Sequence, residues 1–272
     1  MSNNIPKNFS QTVMKALTVL EYIAEQGKEM GVNEVARGLK MDSSTTYRLM
    51  ATLSARGYLR QDRDTNKYRI GPRVLLLYKA MQDVLELRRL ASPYLNRLVE
   101  QTGETAHLMA LQGAEGVYIE RVDSPQTVRM VSYVGKQELL HCSSVGKAIL
   151  AHLPEEEVDW IIEVRGLPRI TPNTITDPVV LKQQLEEVRR LGYAIDDMEG
   201  EESVRCVGAP IFDLTGKPIA AISVAAPAYR AGFERLRSFA PFVIEAARAI
   251  SRELGYEERP GSAASPARRV VK

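Results

Sequence analysis

Apolar positions recur along this chain first with a helical period. Val13, Ala16, Leu17, Leu20, Ile23 and Ala24 repeat at intervals of three and four, which predicts an amphipathic helix of about four turns with Ser10 as its N-cap and Gly27 as its stop. Val32, Val35, Ala36 and Leu39 predict a shorter second helix, the turn-formers Met41-Asp42-Ser43 interrupt it, and Thr46, Leu49, Met50 and Leu53 stripe a third over Ser43–Ala55. Two short helices joined by such a turn form a helix-turn-helix, and the stripe leaves Ser44, Thr45, Tyr47, Arg48 and Thr52 facing outward. After Gly57, Tyr58–Arg60 and Tyr68–Ile70 flank the turn-rich Asp62–Asn66 and read as a β-hairpin closed by Gly71-Pro72. Three helices and a basic hairpin describe a winged helix-turn-helix over residues 9–73.

The segment Val74–Arg89 has helical propensity and is apolar around too much of its circumference to lie free in water. Two coverings fit equally: its own domain, or the same helix of a second copy, so that 74–89 is a linker and dimerisation helix. A further helix spans about residues 91–101. The period then shortens to two. Thr105–Leu111, Val117–Val122 and Val128–Val134 predict strands, and Ser144–His152, Pro154–Ile162 and Val180–Leu191 predict helices. Strands return at Tyr193–Asp196, Cys206–Phe212 and Pro218–Ala225, the last two joined by the turn Asp213–Gly216, before a final helix Phe233–Leu254 ends at Gly255. Residues 90–256 thus form an α+β domain with a mainly antiparallel sheet flanked by helices, the architecture of a ligand-sensing module. Residues 257–272, rich in Pro, Ser, Ala and Arg, are expected to be a disordered tail.

Charge sharpens the division. The chain of 272 residues has a net charge of +2, but residues 1–73 carry twelve Lys/Arg against seven Asp/Glu. The basic end is the helix-turn-helix end, which permits phosphate contact. Exposed donors on the third helix (Ser43, Ser44, Thr45, Tyr47, Arg48, Thr52) and on the hairpin (Arg63, Lys67) are candidate DNA contacts, with Arg48 suited to guanine or phosphate. A competing reading has Arg48 bracing the fold through a carboxylate such as Glu34. Two cysteines without a CxxC pair and three histidines argue against a zinc module or disulfide framework, so no metal or cofactor is expected. The N-terminus lacks a secretory core and no apolar run is of membrane-spanning length, which suits a cytoplasmic protein.

Enzymatic motifs are absent. There is no GxSxG elbow, HExxH, or Cys-His pair in a recognisable setting, and Asp196 and Asp197, adjacent on a strand, would point to opposite faces. Ser143-Ser144-Val145-Gly146-Lys147-Ala148 opens a helix with small residues and exposed N–H groups, but His141 and Ala148 stand where a phosphate-binding loop needs Gly and Ser/Thr. An ordinary capped helix fits these residues as well as an anion site does.

Several stretches in order carry a resemblance: Val13–Leu20, Ser44–Leu49 with Gly57-Tyr58-Leu59, Tyr68–Gly71, Gly146-Lys147-Ala148, Gly192–Asp197 and Arg205–Asp213. Across roughly Phe9–Tyr256 the chain resembles the IclR family of bacterial transcriptional regulators. That resemblance implies an N-terminal winged helix-turn-helix, a connecting helix and a GAF-like effector domain. It also implies homodimers, often paired into homotetramers, on palindromic or repeated double-stranded operators. The expected role is repression or activation of catabolic operons by a small organic acid, sugar acid or aromatic effector. Matching positions point to the backbone at Ser144 and Val145 and the side chains of Asp196, Cys206 and Ser223 as the effector site. Ala225 departs from the pattern, since a second serine would stand there, so one polar contact is missing. On residues alone, Cys206 would be a buried strand residue, Ser223 a hydrogen-bonded polar one, and Asp196-Asp197 a solvated turn. The alternative to a regulator is a metabolite-binding or adaptor protein that does not read DNA.

Overall fold

A computed structural model describes residues 10–79, 82–128, 130 and 132–257. The chain divides into two compact units between Gln82 and Asp83.

The first unit opens with α1 (Gln11–Gln26), capped by the Ser10 hydroxyl and closed by Gly27 in the left-handed conformation. Helices α2 (Val32–Leu39) and α3 (Ser43–Ala55) follow, then the hairpin β1 (Leu59–Gln61) and β2 (Tyr68–Ile70), paired antiparallel. Lys40 reverses the chain after α2 with φ 54°, and Asp42 then caps α3 by accepting the Thr45 N–H at 2.7 Å. Val19 and Ile23 of α1, Val35 of α2, Leu49 and Met50 of α3, and Leu59 and Tyr68 of the hairpin close one apolar core. The helical stripes therefore converge as their spacing predicts. A short helix α4 (Val74–Lys79) ends the described part of this unit.

Helix α5 (Gln82–Thr102) carries the chain into the second unit. The expected helix 74–89 thus divides between α4 and α5, with residues 80–81 outside the described residues, and the expected break near residue 90 does not occur. Pro93 lies inside α5. Leu87, Ala91, Leu95 and Leu98 form one buried stripe through it, and that burial outweighs the hydrogen bond the proline forfeits.

A six-stranded antiparallel sheet follows, in the order β5 (Gln137–Glu138), β4 (Glu115–Val122), β3 (Thr105–Gln112), β8 (Pro218–Pro227), β7 (Val204–Phe212), β6 (Ala194–Asp197). Alternation along the strands sorts the side chains into two cores. Leu108, Val207, Ala209, Ile222 and Val224 face α5 and α9 (Phe233–Glu253). Met109, Tyr118, Ala194 and Ala221 face α6 (Ser144–Leu150), α7 (Glu155–Arg165) and α8 (Pro178–Leu191). Helices thus cover both faces of the antiparallel sheet.

The expected strand Val128–Val134 is not formed among the described residues. The carbonyl of Val128 accepts the Arg230 guanidinium at 2.7 Å instead of a ladder N–H, and pairing to β4 starts only at Gly135, whose N–H meets the Tyr118 carbonyl. Residues 129 and 131 of that stretch, the lead residues 1–9 and the tail 258–272 lie outside the described residues. No described helix is long and apolar enough to cross a membrane.

Candidate functional site

Each unit carries one candidate site. In the first, α3 buries Thr46, Leu49 and Met50 and turns Ser43, Ser44, Tyr47, Arg48 and Thr52 outward, with Thr45 half-buried. Hydrogen bonding within the helix sorts these groups further. The Ser44 hydroxyl donates to Asp42 (2.8 Å) and the Thr52 hydroxyl to the Arg48 carbonyl (2.7 Å), so both donors are already engaged. Asp42 sits low, at a pKa of about 2, because the Thr45 N–H and then the Thr45 and Ser44 hydroxyls hold its anion.

Arg48 makes no ion pair among the described residues. Glu34, its expected brace, accepts the Gly31 N–H at 2.7 Å and lies 4.0 Å from Lys67. The Arg48 guanidinium is therefore presented to solvent. The wing turn is well fixed: the Asp62 carboxylate accepts the N–H groups of Asp64 (3.0 Å) and Thr65 (2.8 Å) and the Thr65 hydroxyl (3.0 Å). Arg63 and Lys67 are exposed on it. A groove runs between the start of α2, Tyr47 of α3 and the wing residues Gln61 and Thr65–Tyr68. Asn33, Tyr47, Gln61 and Lys67 place polar donors on its walls beside the Glu34 carboxylate and the apolar Val32, and such donors suit a phosphate backbone with one helix turned to base edges.

In the second unit, strand register brings distant residues together. Asp196 lies opposite Cys206, which lies opposite Ala225, and one step along the same face Ser223 pairs with Gly208 on one side and His107 on the other. Helix α6 caps this face closely, for a Cβ on Gly208 would come within 3.1 Å of the Ser144 hydroxyl. Four of the five expected effector residues, Ser144, Asp196, Cys206 and Ser223, line one cavity of about 20 Å³. Val145 does not. Its side chain packs into the apolar core with Leu140, Ile149 and Leu150, so only its backbone remains to serve the expected role. Ala225 packs with Met130, Val204 and Cys206, which makes that end of the cavity apolar.

The electrostatics are set by burial. Asp196 is 5% exposed, its carboxylate accepts the Glu199 N–H at 2.7 Å, and burial raises its pKa to about 7 against the opposing pull of that bond and of Lys147. His107 shares a hydrogen bond of 2.8 Å with Ser132 and is pushed down to about 3 by burial, then by Arg121 and Lys136, so it is neutral. Burial likewise lifts the Cys206 thiol and the Tyr118 phenol well above their usual values. A protonated thiol is a poor nucleophile. Asp197 turns to the other face and pairs with Arg205 at 2.6 Å, so the adjacent carboxylates form no dyad.

Ser143, from the small-residue stretch that opens α6, lines the cavity too, whereas His107, Tyr118, Lys136, Glu138 and Glu201 are lining residues that the sequence reading does not single out. Nothing local marks them, because strand register and the loop before α6 bring them in. A second omission carried a signal. Lys147 lies fully buried within the apolar turn Val145–Leu150 and is paired with Glu199 at 2.5 Å. A lysine there demands a buried carboxylate, and that demand is readable from the sequence.

Family models match along the chain: the IclR helix-turn-helix domain over residues 12–63 and the bacterial transcriptional regulator IclR C-terminal domain over residues 79–252. The chain is 37% identical over 237 residues to the HTH-type transcriptional regulator BhcR of Paracoccus denitrificans, covering 87% of this chain and 85% of that one. The crystal structure of the Thermotoga maritima IclR matches with a TM-score of 0.75 and 36% identity, over 90% of this chain and 99% of that one. An IclR homolog from Microbacterium hydrocarbonoxydans, crystallised in complex with 4-hydroxybenzoate, matches with a TM-score of 0.72 and 27% identity, over 90% and 99% of the two chains. These relatives are regulators or their homologs, not enzymes. A helix-turn-helix with its donors turned outward, a second unit with a buried polar cavity, and two family models across most of the chain place this protein in the IclR family of bacterial transcriptional regulators.

Proposed function

We propose that this regulator controls a catabolic operon through a small organic effector bound in the cavity of the second unit, and that it acts in the cytoplasm as a homodimer, or a pair of dimers, on a palindromic or repeated operator. The observation that carries the DNA reading is the free Arg48 guanidinium on a helix whose other face is locked in the core. Two α3 helices about 34 Å apart would enter successive major grooves, with Arg63 and Lys67 of each wing on flanking phosphates. Ser43, Thr45, Tyr47 and Arg48 would meet bases or backbone, while Ser44 and Thr52 contribute after exchanging their internal bonds. Leu75, Leu76 and Leu77 are each more than half exposed, which supports a second copy covering α4.

The effector side rests on Ser144, Asp196, Cys206 and Ser223 around one cavity, and on the relative that holds 4-hydroxybenzoate. A volume of about 20 Å³ takes one water, so an organic ligand enters only as the lining, Met130 and Gly200-Glu201 included, moves outward. The two functions are tested separately. In a gel-shift on DNA upstream of its own gene, the protein should prefer that DNA over unrelated sequence. Arg48→Ala should cost about 1–3 kcal/mol and blur that preference. Equal binding to both DNAs would return the protein to the adaptor class. For the cavity, Ser223→Ala should weaken any effector found by calorimetry, and unchanged affinity would move the site elsewhere.

A further inference from the structure

The charge balance of the cavity is unusual for a site that takes an organic acid. Lys136 is the one cation on its lining, and it is tied to Glu138 at 3.0 Å. Lys147 lies behind the lining and is tied to Glu199. His107 is neutral. Against these stand Asp196, Glu138 and Glu201, so an entering carboxylate meets acidic groups and no free cation among the described residues. Two carboxylates in one low-dielectric space cannot both stay charged, but they can share a proton in a strong hydrogen bond.

We propose that the cavity takes a small monocarboxylic acid together with one proton, and that Asp196 is the residue that holds the proton against the ligand's carboxylate. This rests on the effector reading above and specifies the ligand's class and charge. The geometry favours Asp196 over the other two acids. Glu138 already has its cation and Glu201 is exposed, whereas Asp196 is buried, with its carboxylate held by the N–H groups of Glu199 and Gly200 and by the Cys206 thiol. The groups facing Asp196 are Cys206 from β7, Glu199 and Glu201 from the following loop, Lys147 and Ser144 from α6, Cys142 just before it, and Glu138 and Tyr118 from β5 and β4. Lys136 and His107 share this lining; the cations are Lys147 and Lys136, compensated by Glu199 and Glu138, and His107 is neutral. Burial holds Asp196 half-protonated near neutrality, at about 7, so the proton is available at low cost. A second donor waits beside it: the Ser144 hydroxyl is buried and has no hydrogen-bond partner among the described residues. The apolar end formed by Met130, Val204 and Ala225 would take the hydrocarbon part of the acid.

The test is calorimetry of the full chain with 4-hydroxybenzoate, pyruvate and glycerate, each in phosphate and in Tris, whose ionisation heats differ. For the acid that binds, the two buffers should report uptake of close to one proton per ligand at about pH 8, and affinity should fall on the order of twentyfold between about pH 6.5 and about pH 8.5. In Asp196→Asn the proton uptake should vanish and the pH dependence flatten, because an amide donates without titrating. Buffer-independent heats in the wild type would overturn the proposal without any variant, and so would undiminished uptake in Asp196→Asn. Failure of all three acids to bind at either pH would overturn the ligand class, while a specific gel-shift would leave the DNA-reading function standing.

Discussion

Asp196 has a consequence for stability that is separate from ligand binding. Its folded pKa, about 7, lies above the ordinary carboxylate value of 3.8. Below that ordinary value the group is protonated in both states and imposes no penalty. As pH rises toward about 7 the unfolded chain releases the proton and the folded chain retains it or holds a buried charge, so stability falls across this window. At ~1.4 kcal/mol per unit the loss is a few kcal/mol at most. Urea unfolding should therefore show Asp196→Asn gaining on the wild type at pH 8 and not at pH 4, and a gain of equal size at both would contradict a titrating Asp196. His107 works in the opposite direction, since its depressed value costs stability as pH falls from 6.5 toward about 3. Comparing the two proteins at each pH cancels that contribution.

Among elements, α6 is the one that joins the cavity to its surroundings. Lys147 on α6 is wholly buried against Glu199, and the second oxygen of Glu199 is buried without a partner among the described residues. Removing the cation alone leaves an uncompensated buried carboxylate, so Lys147→Met should cost about 3–5 kcal/mol in chemical denaturation. The double change Lys147→Met with Glu199→Gln should recover much of it. Equal loss in the single and double variants would mean that packing, not charge, governs this contact.

The elements also show what could be read without coordinates. Caps at Ser10 and Gly27 and the hairpin turn at Asp213–Gly216 are local chemistry and fall where the residues put them, while the turn expected at Met41-Asp42-Ser43 lies one residue earlier, with Lys40 reversing the chain, Asp42 capping and Ser43 opening α3. Strand alternation likewise announced the sheet. Val128–Val134 has the same β-branched composition, but an arginine a hundred residues away claims its first carbonyl, and no local pattern carries that information. The break expected near residue 90 does not form, because a buried stripe of Leu87, Ala91, Leu95 and Leu98 runs through α5 past Pro93. For the cavity, the resemblance to the family supplied Ser144, Asp196, Cys206 and Ser223. His107 and Tyr118 needed the register of β3 against β8 and β4 to join them.

At the scale of the whole molecule, two compact units share one chain: one presents Arg48 and a basic wing, the other encloses a polar cavity. If a second copy covers Leu75, Leu76 and Leu77, then Leu76→Asp should shift the protein toward smaller species in analytical ultracentrifugation and weaken operator binding, because both half-sites must be held together. An unchanged sedimentation profile would place the subunit contact elsewhere.

Regulation requires more than two sites on one chain, for it requires a free energy of coupling between them. The direct measurement is operator affinity by fluorescence anisotropy, with the cavity first unoccupied and then saturated by the acid identified in calorimetry. A coupling of about 1.4 kcal/mol changes that affinity tenfold, and by linkage the operator must change the acid's affinity by the same factor. The predicted result is a shift of at least several-fold that disappears in Ser223→Ala at the same acid concentration. Identical operator affinity with the cavity saturated and unsaturated would contradict a ligand-controlled regulator.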